Sequence, residues 1–476
     1  MNVLKTCAMT VRHRGMRDRV RRATHTGALV LALFGLIGAA TLATGPIRPA
    51  SAQADASSWS YTGSLNTPRS SHTATLLSDG KILVAGGGNL SGNAFHPLDS
   101  AELHDPVTGT WSITGRLKVP RDGHTATLLG DGRVLVVGGA ISGGAELYDP
   151  KEGKWRLTQS LQGARYGHTA TLLGNGKVLV AGGYDELTDP INTAVLYNPD
   201  TDTWSLTGNF NTDGDGPPTA TLLQNGKVLI TRRGESPELY DPDAGTWSII
   251  SSPSRNMGLG HTATLLPDGR VLLAGGEYDG PINSAELYDP NTGTWSSTGP
   301  LNRARSYHTA TLLPDGKVLV AGGVVFRVSA GVTFGVQLAN SELYDPDTGT
   351  WSLTSKLNDP RSGHTATLVP DGKVLIVGGL PNGLNTVELG YNFPAVTPPT
   401  IIMASVSGKK LIIAGENFDD GAVIVLNGKE QKTANDEQNP KTTLIGKKAG
   451  KKIRPGDTLQ VQNPNGTVSQ EFTFTR

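Results

Sequence analysis

A chain of 476 residues is long enough for about three average domains, or for fewer large all-β ones. Only 18% of it is charged, while 61 glycines and 29 prolines favour many tight turns over long salt-bridged helices. Its one cysteine, Cys7, lies in a segment expected to be removed, so the mature chain has no disulfide, thiolate nucleophile or cysteine metal site.

Residues 1–22 carry Lys5, Arg12, Arg14, Arg17, Arg19, Arg21 and Arg22. An apolar run, Gly27 to Gly45, and then Ala50-Ser51-Ala52 follow. That layout predicts a signal peptide over 1–52, cut before Gln53, and a chain that is secreted or held at the cell surface. The alternative is an uncleaved anchor, because about 19 apolar residues can just span a bilayer. A membrane is a partner only in that case.

From Trp59 onward the chain repeats. The unit is clearest at His308 to Gly323, followed by a variable loop and then Ser341 to Thr354. First halves begin at His72, His124, His168, Pro218, His261, His308 and His364. Tryptophans stand at 59, 111, 155, 204, 247, 295 and 351. Each unit reads as four short strands. Asp79-Gly80, Asn175-Gly176 and Asp315-Gly316 predict a hairpin turn with two positive-φ residues between strands one and two. Asp-Pro-x-Thr-Gly predicts a second hairpin that leads into the Trp strand. Units this thin gain a core by packing around an axis, which makes the fold class all-β and the architecture a β-propeller.

The chain opens with a lone Trp strand and its last unit lacks one. The N-terminal strand is therefore expected to close a seven-bladed ring over 53–393, and trimming Ser57 to Leu65 to open it. The Gly-Gly pair, the Tyr-Asp-Pro and the spaced Trp resemble the kelch repeat. The fourth unit departs from it, with Pro218 in the His position and Thr231-Arg232-Arg233 at the glycine pair.

A proline-rich linker, 394–399, precedes 400–476, whose apolar runs Lys410 to Phe418, Ala422 to Gly428 and Thr458 to Asn463 suit a small immunoglobulin-like β-sandwich. Gly-x-Asn-Phe, Asn427-Gly428 and the late Val-Gln-Asn-Pro-Asn-Gly resemble the TIG (IPT) family of early-set domains. Charge segregates. Basic residues dominate the first 52 positions and the last 79, leaving the repeat region with 23 basic and 33 acidic residues. An acidic ring repels nucleic acid, which is not expected as a partner. Lys447, Lys448, Lys451, Lys452 and Arg454 read as a solvated edge.

The copper-radical oxidases, galactose oxidase among them, also join a kelch propeller to an early-set domain. Tyr307-His308 before Pro314-Asp315-Gly316 resembles their copper-ligating Tyr-His. That resemblance further implies a cross-linked cysteine and a C-terminal histidine, yet no cysteine follows Cys7 and no histidine follows His364. No catalytic residue, metal or cofactor is therefore assigned. Histidines at one radius of a ring are too far apart to share a metal and are expected to bond neighbouring backbone. Arg69, Arg121, Arg165, Arg305 and Arg361 are expected to pair blade to blade with Glu102, Glu146, Glu238, Glu286, Glu342 and Glu388. Asp213-Gly-Asp215 is a weak calcium signal.

Ligand recognition is sought where the repeat fails. The loops between strands two and three vary most, and they carry Phe95, His96, Tyr184, Asp185, Glu186, Tyr278, Asp279, Phe326, Arg327 and Phe334. Aromatics beside charges on variable loops suit a binding face. The sequence therefore reads as a non-enzymatic binding or adhesion module for a protein or glycan. The alternative is an extracellular carbohydrate-active or oxidative enzyme. Oligomeric state is left open.

Overall fold

The structure is a computed structural model. It describes residues 59–475 apart from 92–93, 141–143, 160, 162, 213, 256–257, 279, 330–331, 382, 391–398, 419–420 and 464–468. The expected signal peptide and most of the expected linker lie outside these residues.

Among the described residues the repeat region forms seven four-stranded antiparallel sheets. We number these blades one to seven from their first strands: Thr73–Leu76, Thr125–Leu128, Thr169–Leu172, Asp215–Leu222, Thr262–Leu265, Thr309–Leu312 and Thr365–Leu368. The first strand of each blade lies against the first strand of the next, and that of blade seven against that of blade one. The seven inner strands thus form a closed ring.

Burial follows the radius. The second strands, such as Ile82–Ala85 and Val178–Ala181, are buried at every position. They are sandwiched between neighbouring sheets, which explains four consecutive apolar residues where a half-buried strand would alternate. The outer Trp strands, such as Thr203–Leu206, are mostly exposed. Each core cluster spans two adjacent blades. Leu135 and Leu147 of blade two, for example, pack with Val178, Val180 and Tyr197 of blade three. No blade has a core of its own, so closure matters to every one.

The ends meet in blade seven. Ser60 and Tyr61 pair with Leu389 and Glu388, giving the sheet its outer strand. Trp59 donates from Nε1 to the Ser355 carbonyl at 3.1 Å, and its own carbonyl accepts from Asn358. Its ring covers Gly390, which stands where other blades carry Tyr or His.

The inner turns differ from the expectation in one respect. Gly80 has φ of 83°, but Asp79 keeps an ordinary negative φ. The loop is longer than a two-residue turn: Leu77 N–H donates to the Lys81 carbonyl, and Asp79 Oδ1 accepts from Lys81 N–H at 3.1 Å. The aspartate therefore acts as a side-chain acceptor, and only the glycine supplies left-handed backbone.

Residues 400–475 form two four-stranded sheets. Thr400–Ser407, Lys410–Glu416, Thr443–Gly446 and Thr433–Asn435 make one; Lys429–Gln431, Val423–Leu426, Thr458–Gln462 and Phe472–Thr473 make the other. A shared core with Leu411, Ile413, Phe418, Ile424, Leu444 and Val461 joins them. The lysines of 447–452 and Arg454 are exposed.

Candidate functional site on the loop face

The repeated polar residues are engaged within the ring. Each aligned histidine is buried and meets the preceding blade. His124 Nε2 lies 3.1 Å from Thr73 Oγ1, His168 2.9 Å from Thr125, His308 3.0 Å from Thr262 and His364 3.1 Å from Thr309. His72 closes the circle on Thr365 at 3.0 Å. The Nε2 partner is a threonine hydroxyl, where backbone was expected; His261 also meets backbone, its Nδ1 lying 2.7 Å from the Gly258 carbonyl. Burial holds His124, His168 and His364 at about 3 and His72 and His308 well below their ordinary value, so all are neutral near pH 7.

The glycine pair makes room for these rings. A Cβ on Gly86 would come within 2.6 Å of His124 Cε1, and one on Gly87 within 2.7 Å of His72 Cβ. In blade four, where Pro218 replaces the histidine, Arg233 pairs with Asp215 and the two strands run on past the glycine position. Extended pairing thus replaces the glycine-dependent loop.

The arginines pair within a blade, against the expectation of pairing between blades. Arg305 NH2 reaches Glu342 at 2.6 Å and Arg361 NH2 reaches Glu388 at 2.6 Å; Arg69–Glu102 and Arg121–Glu146 match them. Each of these carboxylates also accepts two backbone N–H groups, as Glu342 does from Asn302 and Arg303. Blade four lacks the entering arginine, and Arg232, 5% exposed, takes over the contact to Glu238 at 2.9 Å. Its guanidinium also stacks 4.2 Å from the Phe210 centroid.

What remains for recognition lies on the opposite pattern, the loops. Two of them form their own hairpins. Gly88–Ser91 pairs with Ala94–Pro97, and Val324–Ser329 with Val332–Gln337. His96 is exposed while Phe95 is half-buried against Gly88. Arg327 and Phe334, both exposed, stand opposite each other across the second hairpin, and Phe326 is half-buried opposite Gly335. Tyr278 is 38% exposed and lies under the Arg233 guanidinium at 5.4 Å, beside Glu277, whose carboxyl burial pushes up.

Tyr184 is a correction. It is 4% exposed; its backbone exchanges hydrogen bonds with Tyr166 at 2.9 Å in both directions, and its hydroxyl lies near Gly216 of blade four. Asp185 Oδ1 accepts from Leu187 and Asp189 N–H and so orders its own loop, leaving Glu186 exposed. Asp279 and Asp213 lie outside the described residues. The other nine candidate residues belong to the loops of blades one, three, five and six and form several small groups.

A feature that sequence reasoning missed sits where this face meets the axis. Gly167, Gly123, Ser71, Gly363, Tyr307 and Gly260 are linked in turn by backbone hydrogen bonds of 2.9 to 3.4 Å. All six have positive φ, and Tyr307, at 52°, is the one aromatic among them. It is 40% exposed and its ring lies on Gly260. One step before this girdle, Asp122 and Tyr166 stand where blades one, six and seven have Ser70, Ser306 and Ser362. Burial raises the Asp122 carboxyl to about 6 and, with Asp122 and Glu186 nearby, raises the Tyr166 phenol. The break from serine was the available signal.

These donors do not fit a copper centre. His308 faces Thr262, and among the described residues no three His, Cys, Asp or Glu side chains gather around a common point. Among the described residues no helix is long and apolar enough to cross a membrane.

The sequence profile of the KLHDC2/KLHL20/DRC7 Kelch-repeats domain matches residues 51–221. Among solved structures, a fungal alcohol oxidase of the AA5 family, in complex with copper, is similar in fold, with a TM-score of 0.63 and 18% identity. The match covers 88% of this chain and 100% of that one. No match was found among curated protein sequences. Residues 51–221 thus match a kelch-repeat family model, and the chain shares the fold of that oxidase.

Proposed function

We propose that this chain is an exported, non-enzymatic binding or adhesion module that recognises a protein or glycan outside the cytoplasm through the loop face of its propeller. One observation carries the reading. The repeated histidines, and the arginines and glutamates that pair within the blades, are buried, whereas the aromatics Tyr278, Tyr307 and Phe334 are exposed on the loop face, where the repeat is broken. Large exposed rings with neighbouring cations suit contact with sugar faces or with a protein surface. The basic segment, apolar run and Ala50-Ser51-Ala52 support export, and the early-set resemblance supports a TIG-like spacer at the C-terminus.

The test is a glycan-array and pull-down screen of wild type beside Tyr278→Ala and Phe334→Ala. Loss of the captured ligand in either variant, with unchanged melting temperature, is the expected result; equal capture by all three refutes the face. The oxidative alternative draws on the likeness in fold to an alcohol oxidase. Copper titration with a peroxide assay separates the two, and stoichiometric copper with peroxide release would overturn the binding reading.

A further inference from the structure

Six blades place a glutamate on the third strand at the same depth: Glu102, Glu146, Glu238, Glu286, Glu342 and Glu388. Blade three carries Val195 there, yet keeps its arginine, Arg165. That guanidinium is 3% exposed and forms no ion pair among the described residues. Its bonds are those left when the carboxylate is subtracted. NH2 reaches Thr193 Oγ1 at 2.8 Å, as Arg361 NH2 reaches Thr386 Oγ1 at 3.1 Å, but Arg361 also holds Glu388. NH1 reaches the Gly182 carbonyl at 3.4 Å, where the four other arginines make the same bond at 2.7 to 2.8 Å. Nε has no partner. With nothing to offset burial, the group is pushed down to about 10.

The surroundings match. In blades one, two, six and seven the carboxylate also accepts from a backbone N–H two residues before the arginine, such as Thr67 N–H at 3.1 Å from Glu102. In blade three that residue is Gly163, which is exposed. Gly163, Arg165 and Thr193 line a cleft of about 450 Å³ together with Asp185, Glu186 and Ile191. The corresponding cavity in blade one, lined by Thr67, Ser100 and Glu102, is about 50 Å³.

We propose that this cleft binds a small carboxylate from solution, its carboxylate taking the place that glutamate fills in the other blades, against Arg165 and the Gly163 N–H. Asp185 and Glu186 on the cleft wall favour a ligand that also carries an ammonium group, so the class is a small amino acid or similar zwitterion. The cleft belongs to the loop face, and to that extent the inference rests on that face being a binding surface.

Acetate and β-alanine are the probes, titrated at constant chloride into the exported chain and followed by saturation-transfer NMR. Wild type is expected to bind both, β-alanine more tightly. Val195→Glu restores the repeat and is expected to lose about tenfold or more in affinity for both probes, about 1.4 kcal/mol or more, while melting no lower than wild type. Equal binding by V195E, absence of binding in wild type, or a lower melting temperature for V195E would each overturn the proposal. If V195E does not fold, Arg165→Gln carries the same expectation, and unchanged affinity refutes it. The macromolecular screen with Tyr278→Ala and Phe334→Ala uses neither probe, so that reading and this one fail separately.

Discussion

Replacing Trp59 by alanine tests whether the ring is held by its seam. Trp59 is 6% exposed and Trp155, in the covalently continuous blade two, is 4% exposed. Deleting a buried indole costs about 3–5 kcal/mol at either site, and each also loses one Nε1 hydrogen bond worth about 1 kcal/mol, to Ser355 or to Gly115. Trp155 in addition loses its contact with the Tyr148 ring at 4.9 Å, worth about 0.5–1.5 kcal/mol. Counted locally, Trp155→Ala is the costlier change.

The seam predicts otherwise. The strand that Trp59 anchors has only two paired residues, so without the indole it detaches, and the Leu389 backbone, which faces it across from Ser60, loses its partner. Urea unfolding with amide hydrogen exchange reads this directly. Trp155→Ala is expected to lower the midpoint with exchange elsewhere following global stability. Trp59→Ala is expected to lower it at least as far and to release protection across Val387–Gly390 in native conditions. Equal protection of that strand in the two variants, with Trp155→Ala the less stable, would refute closure as the source of stability.

Acid should unfold the chain early. Buried histidines that stay neutral to about pH 3 in the fold titrate near 6.5 once unfolded, so the unfolded chain binds more protons between those limits and stability falls as pH drops, by about 1.4 kcal/mol per unit for each. A cooperative loss of circular dichroism is expected between pH 6.5 and 4; persistence of the fold at pH 3 contradicts it. Glu342→Gln leaves Arg305, fully buried, without its counter-charge and should cost about 3–5 kcal/mol in urea unfolding, and a cost below about 1 kcal/mol means the pair is not desolvated as described. Gly139→Ala should destabilise by more than about 1 kcal/mol, since its φ is 70° and the new Cβ would sit 2.8 Å from His124 Cβ; an unchanged melting temperature would show that the interior yields.

The propeller was legible because its residues repeat and each position has one environment. An apolar quartet such as Val178–Ala181 can only be a strand covered on both sides, and a lone Trp59 with a partnerless last unit can only close on itself. Partners were less legible. The histidines reach threonines because the rings point across the blade boundary, a direction that spacing along one chain does not encode. The arginines turn inward because the entering segment lies over the third strand of its own sheet. Tyr184 sits on a variable loop, where side chains are usually exposed, but it is buried, and its backbone is tied to Tyr166.

The breaks in the repeat are of two kinds, and only coordinates separate them. In blade four the glycine pair becomes Arg232-Arg233, and Arg232 repairs the loss of the entering arginine by meeting Glu238 from the other side. In blade five Gly258 stands in the arginine position, and Glu286 instead takes the Ser254 hydroxyl at 2.8 Å with the N–H groups of Ser254 and Arg255. Both breaks are answered within the chain. In blade three the change to Val195 leaves the Arg165 guanidinium beside a cleft, with no ion pair among the described residues. A buried charge left uncompensated costs stability. Among the described residues the ring carries that cost at Arg165, which is the physical reason to look there for a ligand.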